Sequence, residues 1–410
     1  MSQPDANRFH SAKSDLLHLN KVCSVGQNTG MMAASGISRE PRHISALECF
    51  LERRLEERLP ADFCGTASRA ADLHAFGFEG LGPPMRMEVL AMRISSALFV
   101  LSLTSLASAG APAQSQDGPP PWAYPVNPPN FQRAPDDGTI RRVPDSAAGF
   151  TLTQLRDLFA APDWHPEDHP AMPEIVAKGR KPDVLACGVC HRADGPGGPE
   201  NASLFGFSAE YIIQQTVEFK THLRTNSVPR IATDLMIKTS KAITDQELKE
   251  AANYFASIKP RSNIAVVETD TVPKTHVRDL FLAPMDGGEK EPIGQRIIEI
   301  PENVEHFVSR DSRARFIAYV PVGSIQKGRA LAASSDLRVQ CAACHGADLK
   351  GTAVAPGIAA RSPTYMFRQL YDFKSGARKG ANSDLMKPAV ENLSIDDMIA
   401  LVAYTASLIP

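Results

Sequence analysis

Two segments of the chain space their apolar residues three and four positions apart, which is the pattern of an amphipathic helix. They are TDQELKEAANYFASI, which begins at Thr244, and SIDDMIALVAYTASLI, which begins at Ser394. Each begins with a hydroxyl residue and carries an acidic residue three positions later, Glu247 and Asp397, the capping-box arrangement of a helix N terminus. A proline follows each segment, so the pattern predicts two helices that end there.

Shorter apolar patterns lie before and between these helices. EIVAKGR and SIQKGRALAAS are predicted helices whose glycines, Gly179 and Gly328, would let a second helix approach closely. NIAVVETD, QRIIEIP and RFIAYVP are rich in β-branched residues and are separated by proline and glycine, which predicts short strands. These runs fall within residues 262–322, where we expect a β-containing connector that is longer than a plain linker.

The sequence also contains an internal duplication. SAEYIIQQTVEFK (208–220) aligns without gaps with SPTYMFRQLYDFK (362–374). The identical pairs are Tyr211 and Tyr365, Gln215 and Gln369, Phe219 and Phe373, and Lys220 and Lys374. The economical interpretation is two copies of one small helical domain, residues 174–261 and 323–410, joined by the connector.

Both copies contain the same cysteine motif, CGVCH in the first and CAACH in the second, and no other cysteine follows residue 64. Two cysteines in C-x-x-C spacing with histidine directly after them form the attachment motif of a c-type haem, in which the thiols add to the vinyl groups. The residues are Cys187, Cys190 and His191 in the first copy and Cys341, Cys344 and His345 in the second. The alternatives are a zinc site or a dithiol redox centre. Zinc ribbons separate their cysteine pairs by about 15–20 residues, whereas 150 residues intervene here.

A haem iron that passes electrons needs a sixth ligand besides histidine, and a methionine thioether stabilises the reduced iron. Met236 and Met386 occupy matching positions, each at the end of a DLM tripeptide and each 18 residues before a tyrosine of the final helix. The pattern predicts His191 with Met236, and His345 with Met386, as iron ligands, with both methionines on loops. Of the remaining candidates, we expect Met172, Met366 and Met398 to be packing residues, and His165, His169, His222, His276 and His306 to lie at the surface.

The N-terminal part of the chain is typical of an export signal followed by a proline-rich arm. MRISSALFVLSLTSLASAGAPAQ has a positive flank, an apolar run and a small-residue cleavage pattern, which predicts a secretory signal peptide over residues 85–109. Its apolar run is shorter than the roughly 20 residues of a spanning helix. Residues 1–84 would then come from a start codon assigned too far upstream, the alternative being a genuine extension. Residues 110–173 are expected to form an extended arm over a domain surface.

Composition and charge narrow the possible partners. The chain has 43% hydrophobic and 22% charged residues, as expected of a globular protein. Its net charge of −2, without a long basic run, argues against nucleic-acid binding. A local basic stretch, formed by Lys374, Arg378, Lys379 and Lys387, surrounds Met386 and predicts a surface that steers an acidic partner to the second haem. The alternative is an ordinary solvated face.

These features resemble the diheme class I cytochromes c, in which two small helical cytochrome domains are joined in tandem. The resemblance covers residues 174–259 and 324–409 and is closer in the second copy. It implies a mainly α fold and two covalently attached haem c groups. It also implies a proline carbonyl that faces the ring N–H of the haem histidine, a role that fits Pro356. The first copy departs from this pattern, because Ala202 holds the equivalent position.

The expected function is the transfer of single electrons in the bacterial periplasm, between a dehydrogenase or quinol-oxidising complex and a terminal acceptor. On this interpretation the protein is not itself an enzyme, its partners are redox proteins, and the mature chain has no membrane span, although it can associate peripherally. Two alternatives remain open. One is a permanent cytochrome subunit of a dehydrogenase complex. The other is a diheme peroxidase, which requires a displaceable sixth ligand and is disfavoured by the matching methionines.

Overall fold

The computed structural model of the chain describes residues 118–334 and 340–410. The expected upstream extension and signal peptide lie outside these ranges. Within them, no helix has both the length and the apolar character needed to cross a membrane.

The described residues form two helical segments with a strand-containing connector between them and an arm before them. The helices are α1 (Leu152–Arg156), α2 (Glu174–Ala177), α3 (Cys187–His191), α4 (Ala209–Lys220), α5 (Ile231–Ala242), α6 (Asp245–Ser257), α7 (Val304–Val308), α8 (Ser324–Ala332), α9 (Cys341–His345), α10 (Pro363–Lys374), α11 (Ser383–Val390) and α12 (Ile395–Ala406). The strands are β1 (Ile264–Glu268), β2 (Thr271–Pro273), β3 (Thr275–Arg278), β4 (Phe281–Pro284), β5 (Lys290–Pro292), β6 (Ile298–Pro301) and β7 (Phe316–Val320). Short 3-10 turns occur at Pro121–Ala123 and Pro166–Asp168.

The two helical segments repeat the same order of elements. Each contains a short helix with the cysteine motif, then a helix of 12 residues, a methionine-bearing helix and a capped final helix. Ser208 and Ser362 cap α4 and α10, and each side chain accepts a hydrogen bond of 3.2 Å from a tyrosine amide. The final helices, α6 and α12, begin with complete capping boxes at Thr244 and Ser394, which confirms the two helix predictions.

The second segment is built around the crossing of α8 and α12. Met398 and Ile399 are fully buried, and most of α12 is buried with them, as expected for a helix that is apolar on nearly all sides. Gly328 lies at the crossing, where a Cβ atom would overlap the carbonyl oxygen of Ala400 and lie 2.8 Å from the Cβ of Tyr404. The predicted close helix approach at Gly328 is therefore confirmed.

Gly179 plays a different part in the first segment. It follows the four-residue helix α2 with φ +64°, the left-handed conformation that commonly ends a helix. A Cβ atom here would lie 2.6 Å from the backbone nitrogen of Ala186. At Gly179 the chain therefore turns and packs against the loop that follows. This contact leaves no room for a second helix, so the prediction for this glycine is wrong.

The connector contains a three-stranded sheet in the order β1-β7-β6, in which β1 runs parallel and β6 antiparallel to β7. These are the three strands that the β-branched runs predict. The short pairs β2–β5 and β3–β4 were not predicted, because their residues are few, largely polar and interrupted by proline. Phe281, Phe307 and Phe316 pack edge to face, with ring centroids 4.6 and 5.2 Å apart, and form the centre of the connector core.

The arm is more ordered than the extended chain that its prolines predict. Its described part contains α1 and a small core of Val143, Leu152, Leu155 and Trp164. The indole Nε1 of Trp164 donates a hydrogen bond of 2.7 Å to the carbonyl oxygen of Ser309, which fastens the arm to the connector. This bond pairs an N–H group that burial would otherwise leave unsatisfied.

Candidate functional site

The two cysteine motifs form the short helices α3 and α9, and each histidine is held by a hydrogen bond to a backbone carbonyl. His191 Nδ1 donates to the carbonyl oxygen of Ala202 at 2.8 Å, and His345 Nδ1 donates to that of Pro356 at 2.7 Å. A carbonyl can only accept, so Nδ1 carries the proton in both rings and Nε2 keeps its lone pair. The Pro356 contact is the one that the family resemblance implies. Ala202 makes the same contact, because the bond uses a backbone atom and does not need the proline ring.

Both imidazoles are suited to bind a metal as neutral ligands. Burial lowers the pKa of His191 and of His345, although the bond to the carbonyl opposes this shift in each case. A neutral ring with its proton fixed on Nδ1 is the usual state of a histidine that binds iron through Nε2.

One cavity of about 1280 Å³ is lined by all six motif residues and by both predicted methionines. Small-molecule pockets usually measure about 300–1,000 Å³, so this cavity has room for more than one ordinary ligand. The residues that face it are Cys187, Cys190, His191, Met236, Cys341, Cys344, His345 and Met386. The chain therefore brings together the donor set that two c-type haems require.

The methionines lie on helices, which corrects the prediction that they lie on loops. Met236 is in α5 and Met386 is in α11, and both side chains are half-buried at the cavity wall. The sequence around them hides the helices, since α5 is rich in threonine and α11 contains Pro388, and both residue types disfavour helix.

The chemistry of the thiols argues against a dithiol exchange centre. Burial raises the pKa of Cys187 to about 12 and also raises the pKa of Cys190 and Cys341. A reactive dithiol instead needs a lowered pKa so that the thiolate forms at neutral pH. The buried thiols are better suited to permanent covalent attachment.

The arm and the connector enclose the first motif, and no pattern in the sequence predicts this enclosure. Ala161 of the arm packs against Gly188, where an added Cβ atom would lie 2.9 Å from the alanine side chain. Arg310 of the connector donates hydrogen bonds to the carbonyl oxygens of Val189 at 2.6 Å and Leu155 at 2.8 Å. The guanidinium of Arg192 lies over the Phe307 ring, 4.9 Å from its centroid.

The second motif is more open. Cys344 is exposed, and the apolar side chains of Val354 and Leu385 at the same end of the cavity are 79% and 71% exposed. Exposed apolar side chains beside a cofactor cavity are typical of a surface that meets another molecule. The two sites of this chain therefore differ in their access to solvent.

Three surface predictions are wrong. The side chain of His169 is 2% exposed, and its Nε2 lies 3.2 Å from the carboxylate of Asp163. His165 is 1% exposed and lies 3.0 Å, through Nε2, from the carboxylate of Asp311, so it joins the arm to the connector. Arg378, which was expected in an exposed basic patch, is 7% exposed and lies between the two helical segments. Lys379 and Lys387 are exposed, as predicted.

Arg378 belongs to a reciprocal cluster that sequence reasoning missed. Arg224 and Arg378 are related by the same offset as the repeat, and they face each other across an isolated antiparallel bridge. Arg224 donates to Gln215 at 2.7 Å and to Gln369 at 2.8 Å, while Arg378 donates to the same two oxygens at 2.7 and 3.2 Å. Continuing the gapless alignment by four residues beyond Lys220 and Lys374 would have revealed this pair.

Comparisons with known proteins agree with this site. The Cytochrome c family model matches residues 325–408. The chain is 38% identical over 233 residues to the thiosulfate dehydrogenase electron acceptor of Stutzerimonas stutzeri, covering 56% of this chain and 82% of that protein. It is 45% identical over 98 residues to the cytochrome subunit of sulfide dehydrogenase of Chlorobaculum tepidum, covering 24% and 83%. It is 38% identical over 77 residues to cytochrome c-554(548) of Halomonas halodenitrificans, covering 18% and 93%.

The fold and the motif geometry define a c-type haem protein. The chain belongs to the cytochrome c family, which implies covalently bound haem c with iron and a part in electron transfer.

Proposed function

We propose that this chain is a periplasmic diheme cytochrome that passes single electrons between redox proteins. The observation that carries the proposal is the meeting of two complete cysteine motifs and two matching methionines at one cavity. Residues 174–261 and 323–410 would be two tandem class I cytochrome c domains, with residues 262–322 as their connector.

In each domain, the two cysteines would bind haem through thioether bonds, and one histidine and one methionine would be the iron ligands. The assignments are His191 with Met236 and His345 with Met386. The haem iron supplies one-electron chemistry when it is bound. The chain supplies a neutral imidazole oriented by a carbonyl and a thioether that favours reduced iron.

The proposed electron donor is a dehydrogenase that oxidises an inorganic sulfur compound. Support comes from two of the relatives, an electron acceptor of thiosulfate dehydrogenase and a cytochrome subunit of sulfide dehydrogenase. The second name favours a second candidate, in which this chain is a permanent subunit of such a complex. Purification from native membranes and periplasm separates the two, because a permanent subunit elutes with its catalytic partner at high salt whereas a mobile carrier elutes alone.

Haem counting tests the proposal directly. Purified exported protein should contain two haems per chain, and both should stay with the denatured protein during extraction in acidic organic solvent. The double variant Cys187→Ala/Cys190→Ala and its counterpart Cys341→Ala/Cys344→Ala should each retain one haem. A single haem in the parent, or haem that the solvent removes, would refute the diheme assignment. Mass spectrometry of the same sample tests export, since the mature chain should contain no peptide from residues 1–109.

A further inference from the structure

Eight arginines line the cavity, and four of them form a cluster where the two helical segments meet: Arg224, Arg230, Arg368 and Arg378. Arg368 is 1% exposed, and Arg224 and Arg378 are each 7% exposed. The ion pairs formed among the described residues involve other arginines, such as Arg192 with Glu200 and Arg261 with Asp194. The cluster therefore places several cations in the interior of the described fold without direct carboxylate partners.

The partners that these arginines do have are neutral. Arg224 and Arg378 share the side-chain oxygens of Gln215 and Gln369, and Arg224 also donates to the hydroxyl of Tyr365 at 2.8 Å. Arg368 donates to the carbonyl oxygens of Ala123 and Pro199. Two nitrogens, Nη2 of Arg230 and Nε of Arg378, are buried without a hydrogen-bond partner.

Burying a cation is costly unless a negative group compensates it. Burial lowers the pKa of Arg368 to about 9 and also lowers the pKa of Arg230 and Arg378. In Arg224, burial acts in the same direction, but Tyr365, Tyr211 and Glu218 together outweigh it and raise the pKa.

Four acidic side chains lie nearby, but each already has other partners. Glu200 pairs with Arg192, and Glu299 accepts hydrogen bonds from Ser362 and Thr364. Asp372 binds Ser227, and Glu218 binds Gln214 and Gln215. The cavity thus lacks the anions that its arginines need.

We infer that the arginine cluster binds the propionate carboxylates of the two haems and thereby couples the reduction potentials of both. The inference rests on the proposed diheme function. Each haem brings two carboxylates, and a guanidinium pairs with a carboxylate through two parallel hydrogen bonds. Arg224 and Arg378 each bind one glutamine of the first helical segment and one of the second. Loss of either positive charge therefore acts on both haems.

Two measurable properties follow. A positive charge beside a haem favours the reduced iron, so removing it lowers the reduction potential at a pH where the propionates are ionised. Propionates paired with arginine stay ionised from pH 5 to pH 8, so the potentials of the parent protein are flat over this range. In a variant that lacks the pair, the propionates take up protons as the pH falls, and the potentials rise with that protonation.

Other titratable groups face the cluster and must be distinguished from the propionates. They are Tyr124, Tyr211, Tyr365, His191, Glu200, Glu218, Glu299 and Asp372. NMR resonances of the haem propionate methylene protons report the titration of the propionates themselves. A potential that changes with pH while these resonances stay fixed would identify a protein side chain instead.

The test uses the whole exported protein and the variants Arg378→Gln and Arg224→Gln. Each variant should keep two haems, show lower potentials for both haems at pH 8, and gain a propionate titration between pH 5 and pH 8. Lys379→Gln is the matched control for charge, because this exposed neighbour carries the same charge. Arg361→Gln is the control for structure. Its side chain lies at the same boundary and binds Ser203 and Phe205, but it does not line the cavity. Both controls should keep their propionate resonances independent of pH.

Unchanged potentials in Arg378→Gln, a shift of one haem only, or an equal propionate titration in Arg361→Gln would overturn the inference. If the glutamine variants do not fold, the parent protein alone tests the inference. A propionate titration within pH 5–8 in the parent would also overturn the inference. Fewer than two haems in the parent would refute the proposed function itself, and the haem count shows that before any potential is measured.

Discussion

His191 and His345 donate the same ring hydrogen bond to a backbone carbonyl, although the residues that accept it differ. The first copy has Ala202 where the second has Pro356, yet both carbonyl oxygens accept the ring proton at nearly the same distance. A role that depends on a backbone atom can survive a change of side chain, so a motif defined by side chains underestimates the similarity of the two sites. The methionines are different, because only their sulfur atoms can serve the iron.

Replacing a proposed methionine ligand should remove its bond to iron and leave the fold and the other haem site unchanged. We expect Met236→Ala and Met386→Ala each to abolish about half of the weak sulfur-to-iron band at the red end of the oxidised spectrum, and to lower one potential. Met366→Leu is the control, since it keeps the volume of a residue predicted to pack. If the band survives both alanine variants, the ligand assignment is wrong.

His169 should make stability depend on pH. Its Nε2 lies 3.2 Å from the carboxylate of Asp163, and this bond is the main cause that raises the pKa of His169. A raised pKa stabilises the fold fully below the unfolded value of about 6.5, and this stabilisation is lost as the pH rises through the folded value. We expect Asp163→Asn to cost about 1–2 kcal/mol of unfolding free energy at pH 5.5, and little at pH 9.

Denaturant unfolding of the parent and the variant at the two pH values measures this difference. Asp183→Asn is the matched control, because Asp183 is an exposed carboxylate 3.6 Å from Lys238 and should have little effect at either pH. An equal loss of stability at pH 5.5 and pH 9 would contradict the proposed role of the histidine charge.

The close packing of helices α8 and α12 requires a glycine, which has no side chain, at position 328. A methyl group at Gly328 would overlap the backbone of Ala400, and neither helix can move away without opening the buried core around Met398. We expect Gly328→Ala to destabilise the protein by about 3 kcal/mol, in spite of the better helix propensity of alanine. Thermal or denaturant unfolding checks this, with the exposed Gln326→Ala as the control within about 0.5 kcal/mol of the parent. A stabilising effect of Gly328→Ala would show that the helices do not cross so closely.

Elements with strong local signals could be predicted from the sequence, and those fixed by distant contacts could not. A few adjacent residues are enough to predict the capping boxes at Thr244 and Ser394 and the strand β7. By contrast, α11 contains a proline, and its helical form depends on packing against the second core through Met386 and Val390. The arm core around Trp164 depends on a hydrogen bond to Ser309, far along the chain.

The same distinction explains the site. The cysteine motifs and the repeat predict the proposed haem-binding residues, because covalent attachment requires a fixed local spacing. The pairing of Arg224 with Arg378 joins residues of different segments, and charge alone made Arg378 look like a surface residue. Only the fold shows that the basic stretch near Met386 is split, with one arginine inside and the lysines outside.

On the scale of the whole molecule, the two sites differ in exposure, and this assigns them different tasks. The first motif lies beneath the arm and the connector, whereas the second has an exposed cysteine and exposed apolar neighbours. We therefore expect the second site to exchange electrons with a docked partner. Of the exposed lysines in the predicted basic stretch, Lys374 donates a hydrogen bond through Nζ to the carbonyl oxygen of Leu393, which leaves Lys379 and Lys387 for a partner.

Reversing these two charges should slow the encounter with an acidic partner. We expect Lys379→Glu/Lys387→Glu to reduce the rate of electron exchange with the native partner by roughly tenfold at low salt, and the difference from the parent should vanish at high salt. Stopped-flow kinetics measure the rate, and both haem spectra should be unchanged. Lys241→Glu/Lys249→Glu makes the same charge change at exposed positions of the first segment and should leave the rate near that of the parent. Equal rates for the two double variants would exclude the second site as the docking surface.

The enclosure of the first motif also has a consequence for the order of maturation. Gly188 and Val189, which lie between Cys187 and Cys190, contact a segment that precedes them in the chain and another that follows them, and both cysteines are less exposed than Cys344. On the proposed function, we expect an enzyme that attaches haem to reach the first motif more easily before the connector folds. The second motif stays open after folding is complete. In folded protein without haem, a thiol reagent should therefore label Cys344 quickly and Cys187 and Cys190 slowly. On the proposed function, we therefore expect the first haem to be attached before the second.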